Sequence, residues 1–161
     1  MLKPNYIFAR VIDVTADFLI KEGIDTLLLD VDNTLSVAHK DKTLREGVAE
    51  WLSDMKEQGI SLIILSNAKK ERAQIFADSI GLPVVGLAAK PLPFSYNKAV
   101  KQLGGRKKAA AVIGDQLFTD VLGGRLAGVR TLLVTDITPE AELGFRIKRR
   151  LEQIFLKRWK V

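Results

Sequence analysis

The chain has 161 residues, 47% of them apolar and 27% charged, with no cysteine and a single histidine, His39. This composition belongs to one ordinary globular domain; it excludes a disulfide framework, Cys-ligated zinc and a His-rich metal site, so any metal must be hard and oxygen-bound, which points to Mg2+. The net charge of +6 is confined to the tail: residues 144–161 carry seven Lys/Arg against Glu152, whereas the first 143 residues carry 18 basic and 18 acidic side chains.

In chain order, Arg10, Asp13 and Asp17 interrupt the first apolar residues. The pattern therefore predicts a helix over about 5–20 that covers an edge or face of a sheet, and not a signal peptide. No run is long and apolar enough to span a membrane, so a cytoplasmic protein is expected.

An apolar run at 26–29 leads into Asp30, Asp32, Asn33 and Thr34. Such a run suits a buried parallel strand, and the carboxyl ends of parallel strands are where open α/β sheets build their sites. Two carboxylates there can hold a divalent cation and attack an electrophile. A helix N-cap with a solvated neighbour is the competing reading. His39 follows in a short flap, either touching substrate or simply exposed.

A helix is predicted over 43–57, with Leu44, Val48, Trp51 and Met55 on its apolar stripe. The next strand, 61–65, ends in Ser66 and Asn67, a hydroxyl and an amide able to bind a phosphoryl oxygen; Ser66 could equally cap a helix. A helix over 69–79 and a strand over 83–87 bring the chain to Lys90-Pro91, where the lysine could be catalytic or merely solvated.

A helix over 94–103 precedes Gly104-Gly105-Arg106-Lys107-Lys108, which lacks the Walker spacing and reads as a solvated turn. The strand 110–113 ends in Gly114-Asp115, with Thr119-Asp120 following. A helix over about 117–126 and a strand at 131–134 close the pattern. Gly59, Gly81 and Gly128 fall where left-handed helix C-caps are expected. Strands alternating with helices imply right-handed βαβ units and a mainly parallel sheet covered on both faces.

Four strand ends thus offer Asp/Asp, Ser, Lys and Asp/Asp in that order. The set Asp-Val-Asp-Asn-Thr, Ser-Asn, Lys-Pro and Gly-Asp-x-x-x-Thr-Asp resembles the four motifs of the haloacid dehalogenase (HAD) superfamily, and Gly114–Gly124 is similar to its YqeG-like, IIIA-type branch, whose relatives include phosphatidylglycerophosphate phosphatases. The resemblance implies one Rossmann-like three-layer α/β domain over residues 1–161 and a Mg2+-dependent phosphatase working through an aspartyl-phosphate. On this reading Asp30 is the nucleophile and Asp32 the acid and base. Asp30, the Asp32 backbone carbonyl and Asp115 hold the metal. Lys90 adds positive charge, and Ser66, Asn67 and Asn33 lie at the phosphate. Asp120 holds a metal-bound water or Lys90, or starts the next helix.

The intervals of 34 residues from Asp32 to Ser66 and 24 from Ser66 to Lys90 leave no room for a cap domain. An uncapped site suits a phosphate on something large, a phospholipid headgroup, protein or nucleic acid, unless a second subunit serves as lid. In the tail, a helix is predicted over about 144–160, where Ile147, Leu151, Ile154, Phe155 and Trp159 form an apolar face amid Arg and Lys. Such a face could lie on an anionic membrane, pack on the sheet or join a homo-oligomer; without interleaved exposed aromatics it gives little support for nucleic acid.

The resemblance, with the open site and basic tail, makes phosphatidylglycerophosphate the favoured substrate. The alternatives are a HAD phosphatase of a protein, nucleic-acid or small-metabolite phosphate, a receiver-like phosphate-responsive module, and a non-catalytic RNA- or ribosome-associated module. Receivers place their acidic pair on an earlier strand than the acceptor, whereas Asp30 and Asp32 share one strand end.

Overall fold

The computed structural model describes residues 2–38, 41–136, 150, 153–155 and 157. Six strands form one parallel sheet: β1 (Tyr6–Phe8), β2 (Thr26–Leu29), β5 (Ser61–Leu65), β6 (Val84–Val85), β7 (Ala110–Gly114) and β8 (Arg130–Val134). Between β2 and β5 the chain makes a small antiparallel hairpin, β3 (Ser36–Ala38) and β4 (Asp41–Leu44). The large sheet has the order β1-β8-β7-β2-β5-β6.

Alternation along the strands divides the core. Leu27 and Leu29 join Leu62, Ile64, Ala111 and Ile113 on one face, covered by α1 (Ala16–Lys21), α2 (Val48–Glu57) and α3 (Lys70–Ser79). Leu28, Ile63, Leu65 and Val112 face the other way, against α4 (Pro93–Gln102) and α5 (Leu122–Ala127). The result is the expected three-layer α/β architecture, and each fully buried leucine of β2 contributes roughly 2 kcal/mol of burial. Trp51, Val48 and Met55 are buried in α2 as its pattern requires, and Trp51 Nε1 donates to Val14 O at 2.7 Å. Leu44 is in β4, before the helix. Gly59, Gly81 and Gly128 have φ of 79°, 64° and 77°, as the cap pattern predicts. Arg106, Lys107 and Lys108 are exposed.

The amino-terminal segment corrects the sequence reading. Instead of one helix over about 5–20, it forms the edge strand β1, a 3-10 turn at Val11–Asp13 and the short α1. Polar side chains divide it. Asn5 Oδ1 accepts from Thr131 N at 3.0 Å and starts the parallel pairing with β8. Asp13 Oδ2 accepts from Arg10 N at 2.8 Å, and Thr15 caps α1 by accepting from Phe18 N at 3.2 Å. Local caps of this kind compete with continuous helix. Tyr6 and Phe8 still pack edge-on against Phe18, at centroid distances of 5.0 and 5.2 Å.

His39 lies outside the described residues, as does most of the tail. Phe155 is half-buried on the domain itself: its ring meets Phe118 edge-on, with centroids 6.2 Å apart, beside Leu117, Val121 and Leu133.

Candidate active site

Topology places the site. From β2 the chain steps to β5 and β6 on one side, then returns to β7 and β8 on the other. Ligands bind at such switch points, beyond the carboxyl ends of the strands. Asp30 immediately follows β2 at the centre of this edge; Ser66 follows β5 on one flank and Asp115 follows β7 on the other.

Asp30, Ser66, Lys90, Asp115 and Asp120 are all buried. Lys90 Nζ donates to Asp30 Oδ1 at 2.5 Å and to Asp120 Oδ1 at 2.7 Å. Carboxylate oxygens of Asp30, Asp115 and Asp120 lie within 4.8 Å of one another. Burial pushes the Asp30 carboxyl well above its ordinary range; Lys90 opposes this, while Asp120 and Asp115 reinforce it. Burial works against the Lys90 ammonium too, but Asp120 and Asp30 outweigh it and hold the group protonated far above its usual range.

Three converging carboxylates against one ammonium leave an excess of negative charge in a buried, all-oxygen cluster. That donor set fits a hard divalent cation. Asp120 therefore joins Asp30 and Lys90 in this cluster and does more than start a helix. It is aimed inward by a single π-helical turn at Leu117–Val121, in which Asp120 N and Val121 N both donate to Gln116 O, at 3.0 and 3.2 Å. π-turns of this kind concentrate at functional sites. Asp120 Oδ2 also accepts from Gln116 N at 3.2 Å.

The remaining expected residues divide. Ser66 Oγ accepts from Ala68 N at 3.1 Å, which leaves its proton to donate elsewhere. Asn67, expected at the phosphate, grips the Lys90 backbone: its Oδ1 accepts from Lys90 N at 2.8 Å and its Nδ2 donates to Lys90 O at 3.4 Å. Asn33 is buried with φ of 61°, a left-handed conformation that asparagine tolerates better than most residues, and it turns the chain sharply after Asp32. Asp32 is half-buried beside a cleft lined by Ser36, Ser66, Arg72 and Phe76, with Arg72 Nη2 at 3.7 Å from its Oδ1.

Two arginines escaped the sequence reading. Arg72 stands in the first turn of α3, six residues beyond Ser66, where a helix following a site loop presents its side chains. Arg45 donates from Nη1 to Asn33 O at 2.9 Å and to Asp136 O at 2.6 Å, and from Nη2 to Asp136 Oδ2 at 3.1 Å. No local pattern announces it, because its partners are backbone carbonyls 12 and 91 positions away.

A family model for haloacid dehalogenase-like hydrolases matches residues 12–128, which span the whole of this constellation. The chain belongs to that family. It is a phosphatase of the HAD superfamily, and membership sets aside the receiver-module alternative. Over 153 residues it is 33% identical to the probable phosphatase YqeG of Bacillus subtilis, covering 95% of this chain and 88% of that protein. It is 28% identical to the mitochondrial phosphatidylglycerophosphatase GEP4 of Saccharomyces cerevisiae, covering 73% of this chain and 70% of that one. A 4-nitrophenylphosphatase structure from Thermotoga maritima superposes with a TM-score of 0.61 at 15% identity, covering 78% of this chain and 91% of that one, a likeness of fold. Among the described residues no helix is long and apolar enough to cross a membrane.

Proposed function

We propose that this HAD phosphatase is a Mg2+-dependent phosphomonoesterase that forms an aspartyl-phosphate on Asp30 and acts on phosphatidylglycerophosphate. The observation that carries the chemistry is the Asp30 carboxylate itself, buried at the switch point with Lys90 at 2.5 Å and two further carboxylates converging on it. Asp30, Asp115 and the Asp32 backbone would hold the cation, which when bound supplies positive charge to the phosphoryl oxygens and relieves repulsion among the carboxylates.

In the first step an Asp30 oxygen bonds to phosphorus as the ester oxygen leaves. Asp32 gives that oxygen a proton and later takes one from the water that cleaves the acyl-phosphate, so both carboxyl groups return to their starting states. Lys90 and the Ser66 hydroxyl stabilise charge on the non-reacting oxygens. Asp120 and Asn67 position Lys90, one through its ammonium and the other through its backbone.

The lipid assignment is supported by the likeness to GEP4 and by the shape of the insert after Asp32. Among the described residues that insert is only the hairpin β3–β4, too small to enclose a metabolite. Phosphate release with Mg2+ from phosphatidylglycerophosphate vesicles, sugar phosphates and nucleotides tests both parts. The lipid is expected to be preferred, and Asp30→Asn to abolish all turnover. Equal activity in the variant would remove Asp30 from the mechanism; a strong preference for a small soluble phosphate would remove the lipid and leave the phosphatase.

A further inference from the structure

The loop that delivers Lys90 is stapled to the Ser66 loop. Leu87 N donates to Ala68 O at 3.0 Å, Ala88 N to Ser66 O at 2.9 Å, and Lys90 N to Asn67 Oδ1 at 2.8 Å. Ala88 and Lys90 consequently point inward and are buried, whereas Leu87, Leu92 and Phe94 are 54%, 51% and 57% exposed. Single exposed apolar side chains are ordinary on a protein surface, but three within eight residues on the segment that carries Lys90 are not.

Leu87 has φ of 47° and Ala89 of 50°, a region β-carbon-bearing residues rarely occupy. The chain thus holds a leucine in solvent in an unfavourable conformation, a combination that stability alone does not select. Gly86 lets this loop sit directly on the start of α3: a β-carbon there would fall 3.1 Å from Lys70 Cα. Leu87, next to Gly86, therefore lies beside the start of α3, which carries the exposed Lys69, Lys70 and Arg72 with Glu71 among them and Asp32 paired to Arg72; Lys98 stands one helical turn beyond Phe94.

We propose that this rim seats the mouth of the site on an anionic lipid bilayer, with Leu87, Leu92 and Phe94 entering the interface and Lys69, Lys70 and Lys98 facing lipid phosphates. Apolar side chains ringed by cations match the chemistry of an anionic interface, where each half of the pairing reinforces the other. A phosphomonoester on a lipid headgroup stands close to the membrane plane, so a site that reaches it must lie against that plane. The docking rests on the lipid reading of the substrate but is separable from it by experiment.

The test uses the full-length protein and phosphatidylcholine vesicles carrying about 30% phosphatidylglycerol, where the anionic component drives adsorption of basic surfaces. Two double variants are compared with the parent: Leu87→Asn with Phe94→Gln, and Lys69→Glu with Lys70→Glu. Each is expected to sediment with vesicles about ten-fold less and to lose a similar factor in turnover of vesicle-borne phosphatidylglycerophosphate. Turnover of soluble 4-nitrophenyl phosphate should stay at the parental level, which also reports that the variants are folded.

Asp30→Asn should bind vesicles like the parent while turning over neither substrate. If the parent binds vesicles through the rim yet leaves the lipid phosphate untouched, the docking stands and the substrate reading falls. If the variants sediment and turn over the lipid as the parent does, the docking surface is overturned and the substrate reading survives. A dimer of the parent that the apolar variant dissociates, with vesicle binding unchanged, would assign the patch to a second copy and also overturn the proposal.

Discussion

Gly114 faces the carboxylate of Asp120 so closely that a β-carbon at position 114 would fall 2.3 Å from both Cγ and Oδ2 of that side chain. The end of β7 and the π-turn can therefore approach only across a glycine, and that approach brings Asp120 to Lys90. Gly114→Ala should displace the buried carboxylate, cost about 1–3 kcal/mol of stability through overpacking, and lower kcat at least ten-fold by releasing the lysine. A melting curve paired with 4-nitrophenyl phosphate kinetics checks this; unchanged kcat would show that Asp120 need not hold Lys90.

Three buried carboxylates share one ammonium, so a divalent cation should stabilise the folded chain strongly. At a hundred-fold excess over its dissociation constant, Mg2+ should add about 2.7 kcal/mol, which raises Tm by roughly 5–10 °C for a domain of this size. Asp115→Asn removes one repelling charge. It should raise the melting temperature of the metal-free protein and abolish the Mg2+ increment. Calorimetry with and without chelator decides, and a full increment in the variant would place the cation elsewhere.

Arg45 joins the turn after Asp32 to the segment after β8 by hydrogen bonds from a mostly buried guanidinium. Arg45→Met should cost about 1–3 kcal/mol and lower kcat more than it raises KM, because the turn carrying Asp32 loosens. Asp136→Ala should cost under about 1 kcal/mol, since that carboxylate is 54% exposed and the carbonyl contact survives. Equal losses from both changes would show that the exposed ion pair, and not the carbonyl contacts, carries the link.

Both tyrosines should resist ionisation. Burial, reinforced by the Asp120 carboxylate, holds the Tyr96 phenol well above its ordinary 10.0, and its hydroxyl donates to Thr119 O at 2.8 Å. The half-buried Tyr6 is raised chiefly by its hydrogen bond to Glu22. A folded-state pKa above the unfolded value gives stability that is complete below pH 10.0 and is lost as pH rises through the folded pKa. Tyrosinate absorbance in Tyr6→Phe, which leaves Tyr96 alone, should therefore appear only as the protein unfolds in alkali. Ionisation at the ordinary value with the fold intact would contradict the burial of this ring.

Most of this site was legible in the sequence because its chemistry sits at strand ends. Apolar runs long enough to mark β2, β5 and β7 stop at Asp30, Ser66 and Gly114, and each stop is a position of the candidate site or next to one. The β1 strand was not legible: three residues carry no period, and it forms only because β8 offers an open edge. Asn67 shows the same limit at one residue, since its amide chemistry suits a phosphoryl oxygen equally well and only the fold engages it with the Lys90 backbone.

Residue order alone determined the fold class, the sheet's parallel sense, the order in which the site groups arrive and the oxygen-only character of any metal they hold. These depend on local periodicity and side-chain chemistry, which need no knowledge of distant neighbours. Tertiary structure decided that Asp120 joins Asp30 and Asp115, that Arg45 and Arg72 reach the site loops, and that Leu87, Leu92 and Phe94 on the segment carrying Lys90 stay in solvent. Those outcomes depend on contacts between segments dozens of residues apart and on which face of a loop is left over once its backbone bonds are made, and neither is written in any local stretch of chain.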